Sequence, residues 1–286
     1  MRSLELIHGQ TSRKSQINRR EADSVASGVQ NCERRTVAEF PTISFPAIKW
    51  DRARCGKGEF FRGLPPKAMR QFELLATHFQ CPGTTVLIRE QQMPLRVHFL
   101  LEGEVNISMN SFDGKRFLLG VAVAGDILGL SSALSGDSSE ITAEARFPCR
   151  IASLHRPDFL DFLLSYPVAS QNAARELGLL YRRSCERLRI LGLITSVPAR
   201  LACLVLEWCR DGQPTKMGIQ IRCALTHEEI GECIGASRET VTRTLTDFKN
   251  QDLVIWRGSS LIVPSRSALA NYAGIDPGPD PSDPAA

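Results

Sequence analysis

No run in this 286-residue chain approaches the ~18 consecutive apolar residues that a membrane-crossing helix needs. The opening stretch, MRSLELIHGQTSRKSQINRREADS, lacks the apolar core of a secretory signal, so the expected location is the cytoplasm. No C-x-x-C pair occurs among the nine cysteines (Cys32, Cys55, Cys81, Cys149, Cys185, Cys203, Cys209, Cys223 and Cys233). Their odd number and scattered spacing argue against a disulfide framework and a zinc knuckle. Most sit in apolar surroundings, as in LACLVLEW, and read as small buried hydrophobes. There is no P-loop, no G-x-S-x-G and no kinase motif set. The five histidines (His8, His78, His98, His155 and His227) have no metal-ligand spacing. No catalytic residue or metal site is therefore expected, and the reading is not an enzyme.

A long basic tract is also missing, and the net charge is only +4. Residues 1–58 hold 11 Lys/Arg against 6 Asp/Glu, and the last twelve residues hold three aspartates and no base. The remainder is nearly neutral, so any case for nucleic acid must rest on local geometry. What is present is a chain long enough for two packed domains, with 43% apolar residues.

Residues 1–57 are polar and weakly periodic and are expected to form a flexible arm, read as a disordered leader in preference to an arm that touches DNA phosphates. The Pro/Asp-rich 275–286 is expected to be a disordered tail. GEFFRGLPPKAMRQFELLA reads as a helical lead-in that starts at Pro65-Pro66, with Met69, Phe72, Leu74 and Leu75 on its apolar side. From 80 to 155, short β-rich runs (TTVLI, VHFLLEG, EVNISMN, RFLLGVAV, RIASL) alternate with turn signals, Asp113-Gly114 being a good hairpin signal. Closely spaced short strands imply an antiparallel sandwich or barrel over 58–166. RPDFLDFLLSYP then opens a short helix on Pro157, and 167–195 reads as one long helix. Its positions 174, 177, 181, 184, 188 and 191 hold Ala, Leu, Tyr, Ser, Leu and Leu, the 3-4 spacing of a coiled-coil seam. A helix of about 28 residues spans about 42 Å, more than a small domain needs, which favours a two-chain seam over burial on its own domain. Leu177, Tyr181, Leu188 and Leu191 are the expected dimerisation residues. TSVPARLACLVLEWC starts a second domain, 196–274, with Ser196 as cap and Pro198 in the first turn.

The most informative stretch is LTHEEIGECIGASRETVTRTLTDF at 225–248. Thr226 and Glu229 have capping-box spacing, and Gly235 stands where a left-handed residue ends a helix. Ser237 caps a second helix, which Val241 and Leu245 bury. Arg238, Glu239, Thr242 and Arg243 are left on the other faces. The first turn of such a second helix enters the major groove in a helix-turn-helix. An arginine there suits guanine and a carboxylate suits cytosine. Ser237 at the positive helix end suits a phosphate. The hairpin LVIW-RGSS-LIVP adds a wing with Arg257 at its tip. A bare helical hairpin with a solvated charged face is the bland alternative; the capping box, turn glycine, Ser-Arg-Glu start and wing together favour DNA.

EEIGECIGASRETVTRTL with its wing resembles the C-terminal domain of the Crp/Fnr family of bacterial transcription regulators. PGTTVLIRE, FLLEGEV, DGKRFLLGVAVAGDILG and CRIASL fall where that family's glycine-marked strands fall, and the likeness covers about 60–274. The resemblance implies an α+β chain: an antiparallel β-roll of the cyclic-nucleotide-binding type, a long dimerisation helix and a winged helix-turn-helix. It also implies a homodimer on a palindromic site, with Arg238, Glu239 and Arg243 at the base-reading positions. The expected partners are double-stranded DNA, a second copy and RNA polymerase, with no membrane.

The effector pocket departs from the cyclic-AMP pattern at Gly129, Leu130, Ser139 and Glu140. Leu130 stands where the ribose-binding glutamate is expected, and Ser138-Ser139-Glu140 replaces the phosphate-binding arginine. An anionic phosphate would meet Glu140 unpaired, which argues against cyclic AMP in the usual mode. Arg146 and Arg150 lie on a different strand. The Fnr-type iron–sulfur cluster is disfavoured too: Cys149 matches the roll cysteine, but only Cys32 and Cys55 stand near the N-terminus. A thiol sensor at Cys55 or Cys149, and haem through His98 or His155, have less support still. The effector is thus unidentified. The leading reading is a sequence-specific DNA-binding regulator; the alternative is a cyclic-nucleotide-type sensor or scaffold module acting through protein contacts.

Overall fold

The computed structural model describes residues 59–223, 225–257 and 260–275. The expected arm 1–57 and all but the first residue of the expected tail lie outside these residues. After a 3-10 turn at Glu59–Phe61, helix α1 (Pro66–Leu75) leads into strands β1 (Thr77–Cys81), β2 (Val86–Ile88), β3 (Arg96–Glu102), β4 (Glu104–Asn110), β5 (Arg116–Val123) and β6 (Ile127–Leu128). Helix α2 (Leu130–Ser135) precedes β7 (Thr142–Ala145) and β8 (Cys149–His155). The strands form two antiparallel four-stranded sheets, ordered β1-β8-β3-β6 and β2-β7-β4-β5. The roll buries two apolar clusters. One holds Cys81, Leu100, Val105, Ala143 and Ile151. The other is aromatic: Phe60, Phe72, Phe99, Phe159 and Phe162 pack edge-to-face or tilted, with Phe72 and Phe99 ring centres 4.9 Å apart. The Asp113-Gly114 signal falls in the β4–β5 turn, as its pattern predicts, and Gly114 takes φ +80° there. The apolar side expected for α1 is narrower than its pattern: Phe72 is fully buried, whereas Leu74 is 87% exposed.

Helix α3 (Arg156–Ser165) runs into the long helix α4 (Pro167–Leu193), 27 residues. The C-terminal region then follows with α5 (Val197–Trp208), β9 (Gln213–Thr215), β10 (Gly218–Arg222), α6 (His227–Ile234), α7 (Arg238–Asn250), β11 (Ile255–Arg257), β12 (Ser260–Val263) and α8 (Arg266–Ala273). Ser196 accepts the Ala199 amide and Pro198 sits in the first turn of α5, matching the sequence signal. The wing is larger than a hairpin. Strands β9 and β10 extend it to a four-stranded sheet, β11-β12-β10-β9. In β9–β10, Gln213, Pro214 and Thr215 are exposed and short, so no apolar alternation marks them. Helix α8 covers the core with Leu269 and Ala270.

One junction sets where the C-terminal region sits. Leu118 of β5 is fully buried in the same cluster as Ile230, Cys233 and Ile234 of α6, so a roll residue completes the core of the other region. Beside it, Arg146 reaches Glu229 through Nη1–Oε1 at 2.6 Å and Nη2–Oε2 at 3.3 Å. Asn106 accepts from Arg146 at 2.9 Å and donates to Glu229 at 3.3 Å. Glu104 stands 3.5 Å from Arg146 Nε. The Arg146 side chain is only 8% exposed and that of Glu229 17%. A charge-assisted bidentate pair in such surroundings is strongly geometric. Glu229 also accepts the Thr226 amide at 2.9 Å, so the same carboxylate closes the capping box of α6. A second contact is looser: Arg116 lies 3.7 Å from Glu144 and 3.9 Å from Glu232.

Burial would raise the Glu229 carboxyl, but the Thr226 amide, Arg146 and Asn106 outweigh it and hold it below the usual 4.5. A depressed carboxylate contributes stability that is complete above its ordinary pKa and is lost as pH falls through the depressed value. The junction is therefore expected to hold at neutral pH and loosen below about pH 4.5. Arg146→Met should weaken this acid-limb dependence, leaving the share that the Thr226 amide and Asn106 supply, and cost about 3 kcal/mol, since it strands a partly buried carboxylate. Denaturant unfolding across pH 3–7, comparing the two proteins, checks both statements.

Candidate nucleic-acid interface

The helix-turn-helix is built as its sequence signals predict. Thr226 accepts the Glu229 amide at 3.2 Å, and Gly235 ends α6 with φ +63°. Ser237 accepts the Thr240 amide at 3.3 Å and opens α7. Ile230, Cys233, Ile234, Val241 and Leu245 all face the core. Gly231, to which the pattern assigns no role, is required by space: a Cβ there would sit 2.5 Å from the Ala236 carbonyl oxygen. Burying Val241, Thr244, Leu245 and Phe248 turns the opposite side of α7 to solvent, and there Arg238, Glu239, Thr242 and Arg243 are exposed together. Glu239 bonds back to its own helix start, first through its own amide and then through the Ser237 hydroxyl, which holds its carboxyl below the ordinary range and ionised.

Thr242 is exposed and hydrogen-bonded within its own domain. Its hydroxyl donates to the Arg238 carbonyl at 2.9 Å and also meets His227 Nδ1 at 2.9 Å. With that single proton on the carbonyl, the imidazole is the donor to Thr242. His227, the first residue of α6, is thereby brought to the exposed face of α7. Its one signal in the chain is its position directly after the Thr226 cap. Arg257 is the last residue of β11 and is exposed, at the expected wing tip. A cleft of about 450 Å³ runs between Lys115 and Arg116 at the start of β5 and Glu228, Glu232, Ser237, Arg238 and Glu239. The β4–β5 turn thus stands beside the first turn of α7, a neighbour that sequence order conceals.

None of the four pocket residues supplies a cation. Gly129 has φ +79°, and a Cβ would approach Ile88 to 3.0 Å. Leu130 is buried among the phenylalanines of the roll. Ser139 turns back on its own loop, donating to the Ile141 carbonyl at 2.9 Å, and Glu140 is exposed. Arg146 is engaged by Glu229 and Arg150 by Glu102 at 2.9 Å, while Arg156 donates to the Ala133 carbonyl of α2 at 2.8 Å. A cyclic phosphate would find no cation among these four residues, and a ribose would find a buried leucine, so they do not fit a cyclic nucleotide in the usual mode. His98 is buried, and its pKa is lowered to about 4, first by desolvation and then by Arg96, so it stays neutral. His155 is paired with Arg96 at 2.7 Å.

On α4 the expected seam is exposed at Ala174, Tyr181, Ser184 and Leu188 and half-buried at Leu177 and Leu191. Tyr181 (74%) and Leu188 (70%) are exposed, and so are Ser184 and Cys185. Leu177 is half-buried against the roll cluster, and Leu191 is half-buried with its Cδ2 4.0 Å from the Cβ position of Gly235. Two of the four expected dimerisation residues are therefore partly spent on their own chain. The open line runs through 178, 181, 185, 188 and 192.

The fold and this exposed helix start describe a sensor roll joined to a winged helix-turn-helix. The cyclic nucleotide-binding domain family matches residues 79–166, and the Crp-like helix-turn-helix domain family matches 199–272, together more than half the chain. The chain is 27% identical over 222 residues to the CRP-like cAMP-activated global transcriptional regulator of Mycobacterium tuberculosis, covering 77% of this chain and 97% of that one. It is 25% identical over 228 residues to the transcriptional activatory protein AadR of Rhodopseudomonas palustris, covering 76% and 92%. Among solved structures, a mutant of CooA from Carboxydothermus hydrogenoformans shares the fold with a TM-score of 0.64 at 20% identity, covering 75% of this chain and 94% of that one. FixK2 from Bradyrhizobium japonicum gives 0.60 at 21% identity, covering 68% and 96%. The chain belongs to the Crp/Fnr family of transcription regulators. It is a DNA-binding regulator with a cyclic-nucleotide-binding-type domain. Among the described residues no helix is long and apolar enough to cross a membrane.

Ser237→Ala should remove the cap of α7 and cost about 1 kcal/mol. A lower denaturant midpoint with an unchanged slope is the expected signature.

Proposed function

We propose that this protein acts in the cytoplasm as a homodimer that reads a two-fold symmetric DNA site through the first turn of α7. Arg238, Glu239 and Arg243 reach base edges, Ser237 and Arg257 meet phosphates, and RNA polymerase is the downstream partner. The observation that carries this reading is the exposed Arg238–Glu239–Arg243 set on a capped helix whose other side is fully buried. An arginine in a major groove makes two hydrogen bonds to guanine, and a helix start favours a phosphate. The exposed Tyr181 and Leu188 support a second copy against α4, because a two-stranded seam would cover them. Dimer symmetry then implies half-sites about one helical turn apart.

The effector is a different matter. The M. tuberculosis relative is cAMP-activated by name, yet Leu130, Ser139 and Glu140 argue that this roll responds to something other than cyclic AMP held in the usual mode, or to nothing. A scaffold acting through protein contacts is the competing reading, and steep salt-dependent, sequence-selective DNA binding separates the two.

The decisive experiment is selection from a random DNA pool with and without cyclic AMP. A two-fold symmetric site enriched in both conditions supports the proposal; enrichment only with cyclic AMP overturns the effector reading. No enrichment favours a scaffold. On the selected site, Arg238→Ala and Arg243→Ala should each cost about 1–3 kcal/mol and relax base preference while the fold persists. Unchanged preference in both variants would contradict the docking. Tyr181→Glu and Leu188→Glu should give monomers by sedimentation that bind the full site more weakly than the wild-type protein, and equal affinity would contradict the seam.

A further inference from the structure

Strand β1 ends at Cys81 and strand β8 begins at Cys149, and the two residues are register partners in the antiparallel ladder. Both are fully buried. Directly opposed residues of antiparallel strands have Cα atoms about 4.5–5.5 Å apart. That separation lies inside the range of about 4.4–6.8 Å that a disulfide spans. Among the described residues no other two cysteines face each other across a strand pair. Gly103 closes over them: a Cβ at Gly103 would lie 2.5 Å from Cys149 Sγ, so the site has room for a sulfur–sulfur bond and little else.

We propose that Cys81 and Cys149 are a reversible dithiol, closing to an intrachain disulfide when the protein meets a hydroperoxide. One thiol attacks the peroxide O–O bond, becoming a sulfenic acid and releasing one water. The second sulfur then attacks the first, the S–O bond breaks, and a second water leaves. Two thiols and one hydrogen peroxide thus give one disulfide and two waters; sulfur is oxidised and peroxide oxygen reduced. A dithiol reductant reverses the step by exchange. Burial pushes Cys81 up to about 11 and raises Cys149 as well, so thiolate is scarce at neutral pH. The reaction is accordingly slow and depends on fraying of this strand end, where the ladder stops and the Pro82-Gly83 turn begins.

The site adjoins the junction. Cys149 Sγ lies 3.1 Å from the Phe147 carbonyl and 3.4 Å from that of Glu104, and it loses its donor proton when the disulfide forms. Glu104 in turn faces Arg146, three residues before Cys149. The oxidation state is therefore read where the roll grips Glu229. This second part rests on the regulator reading given above.

The test uses the full chain treated with hydrogen peroxide, blocked by alkylation and digested with trypsin. The expected product is a protein two hydrogens lighter, with fragment 71–89 joined to fragment 147–150 and released by dithiothreitol. Cys81→Ser and Cys149→Ser should each abolish the joined fragment. Oxidised wild-type protein should bind the selected DNA site with affinity changed tenfold or more, while Cys81→Ser is indifferent to peroxide. Cysteines 81 and 149 that both remain alkylatable after peroxide and unfolding, or that join other cysteines, overturn the dithiol. A mapped disulfide with unchanged DNA affinity overturns the link to the junction. Protein that binds no DNA in either state counts against the regulator reading and leaves a mapped disulfide standing.

Discussion

The arrangement of this molecule depends on one partly buried ion pair, Arg146 with Glu229. Each ion would be costly alone in such surroundings, and the pair persists because its remaining hydrogen-bonding capacity is filled by Asn106, Glu104 and the Thr226 amide. Glu229 is the link between scales. It caps the helix that supports the DNA-reading helix, and it receives the only roll arginine that reaches this carboxylate among the described contacts. Glu229 thus joins the roll to the start of α6, and the tight turn at Gly235 joins α6 to α7. Leu118 adds an apolar anchor beside the charged one. The ion pair confers geometry and the leucine confers affinity, a common division between polar and apolar contacts.

The roll keeps the architecture of a cyclic-nucleotide-binding domain while its pocket residues serve packing. Leu130 completes an aromatic core and Ser139 stabilises its own loop. Arg146 and Arg150 are engaged by glutamates, and Arg156 lies against α2, donating to the Ala133 carbonyl. A domain of this kind can transmit a signal without holding a nucleotide, provided some other event moves β4, β5 or the start of β8. The Cys81–Cys149 pair lies at that last place, and this is why it carries more weight than the exposed Cys185 on α4.

The DNA-facing surface is likewise a product of what is buried. Four core residues at 3-4 spacing fix the rotation of α7, and the charged residues face outward as a consequence. The first turn of that helix is shared ground: Ser237 caps it, Glu239 folds back on it, His227 braces Thr242, and Lys115 and Arg116 border it from the roll. Part of the proposed reading surface is therefore already hydrogen-bonded within the protein, while Arg238 and Arg243 are exposed.

The helix-turn-helix was legible in the chain because its signals are local: a capping box, a left-handed glycine, a second cap and a 3-4 apolar pattern all act within a few residues. The hairpin at Asp113-Gly114 and the helix starts at Pro66, Pro157 and Pro198 were legible for the same reason. Strands β9 and β10 were not, since the exposed Gln213-Pro214-Thr215 segment carries no alternation. The seam on α4 was read from spacing alone, and only tertiary packing decided that Leu177 and Leu191 turn partly toward their own chain. Arg146 with Glu229 stands 83 residues apart, Asn106 with Glu229 stands 123 apart, and Cys81 faces Cys149 across the sheet. No periodicity encodes such pairings, because they arise when separately specified elements meet. By itself the sequence determined the elements and their caps; the tertiary structure decided which charges and thiols face one another, because burial forces partners on groups that local structure leaves unpaired.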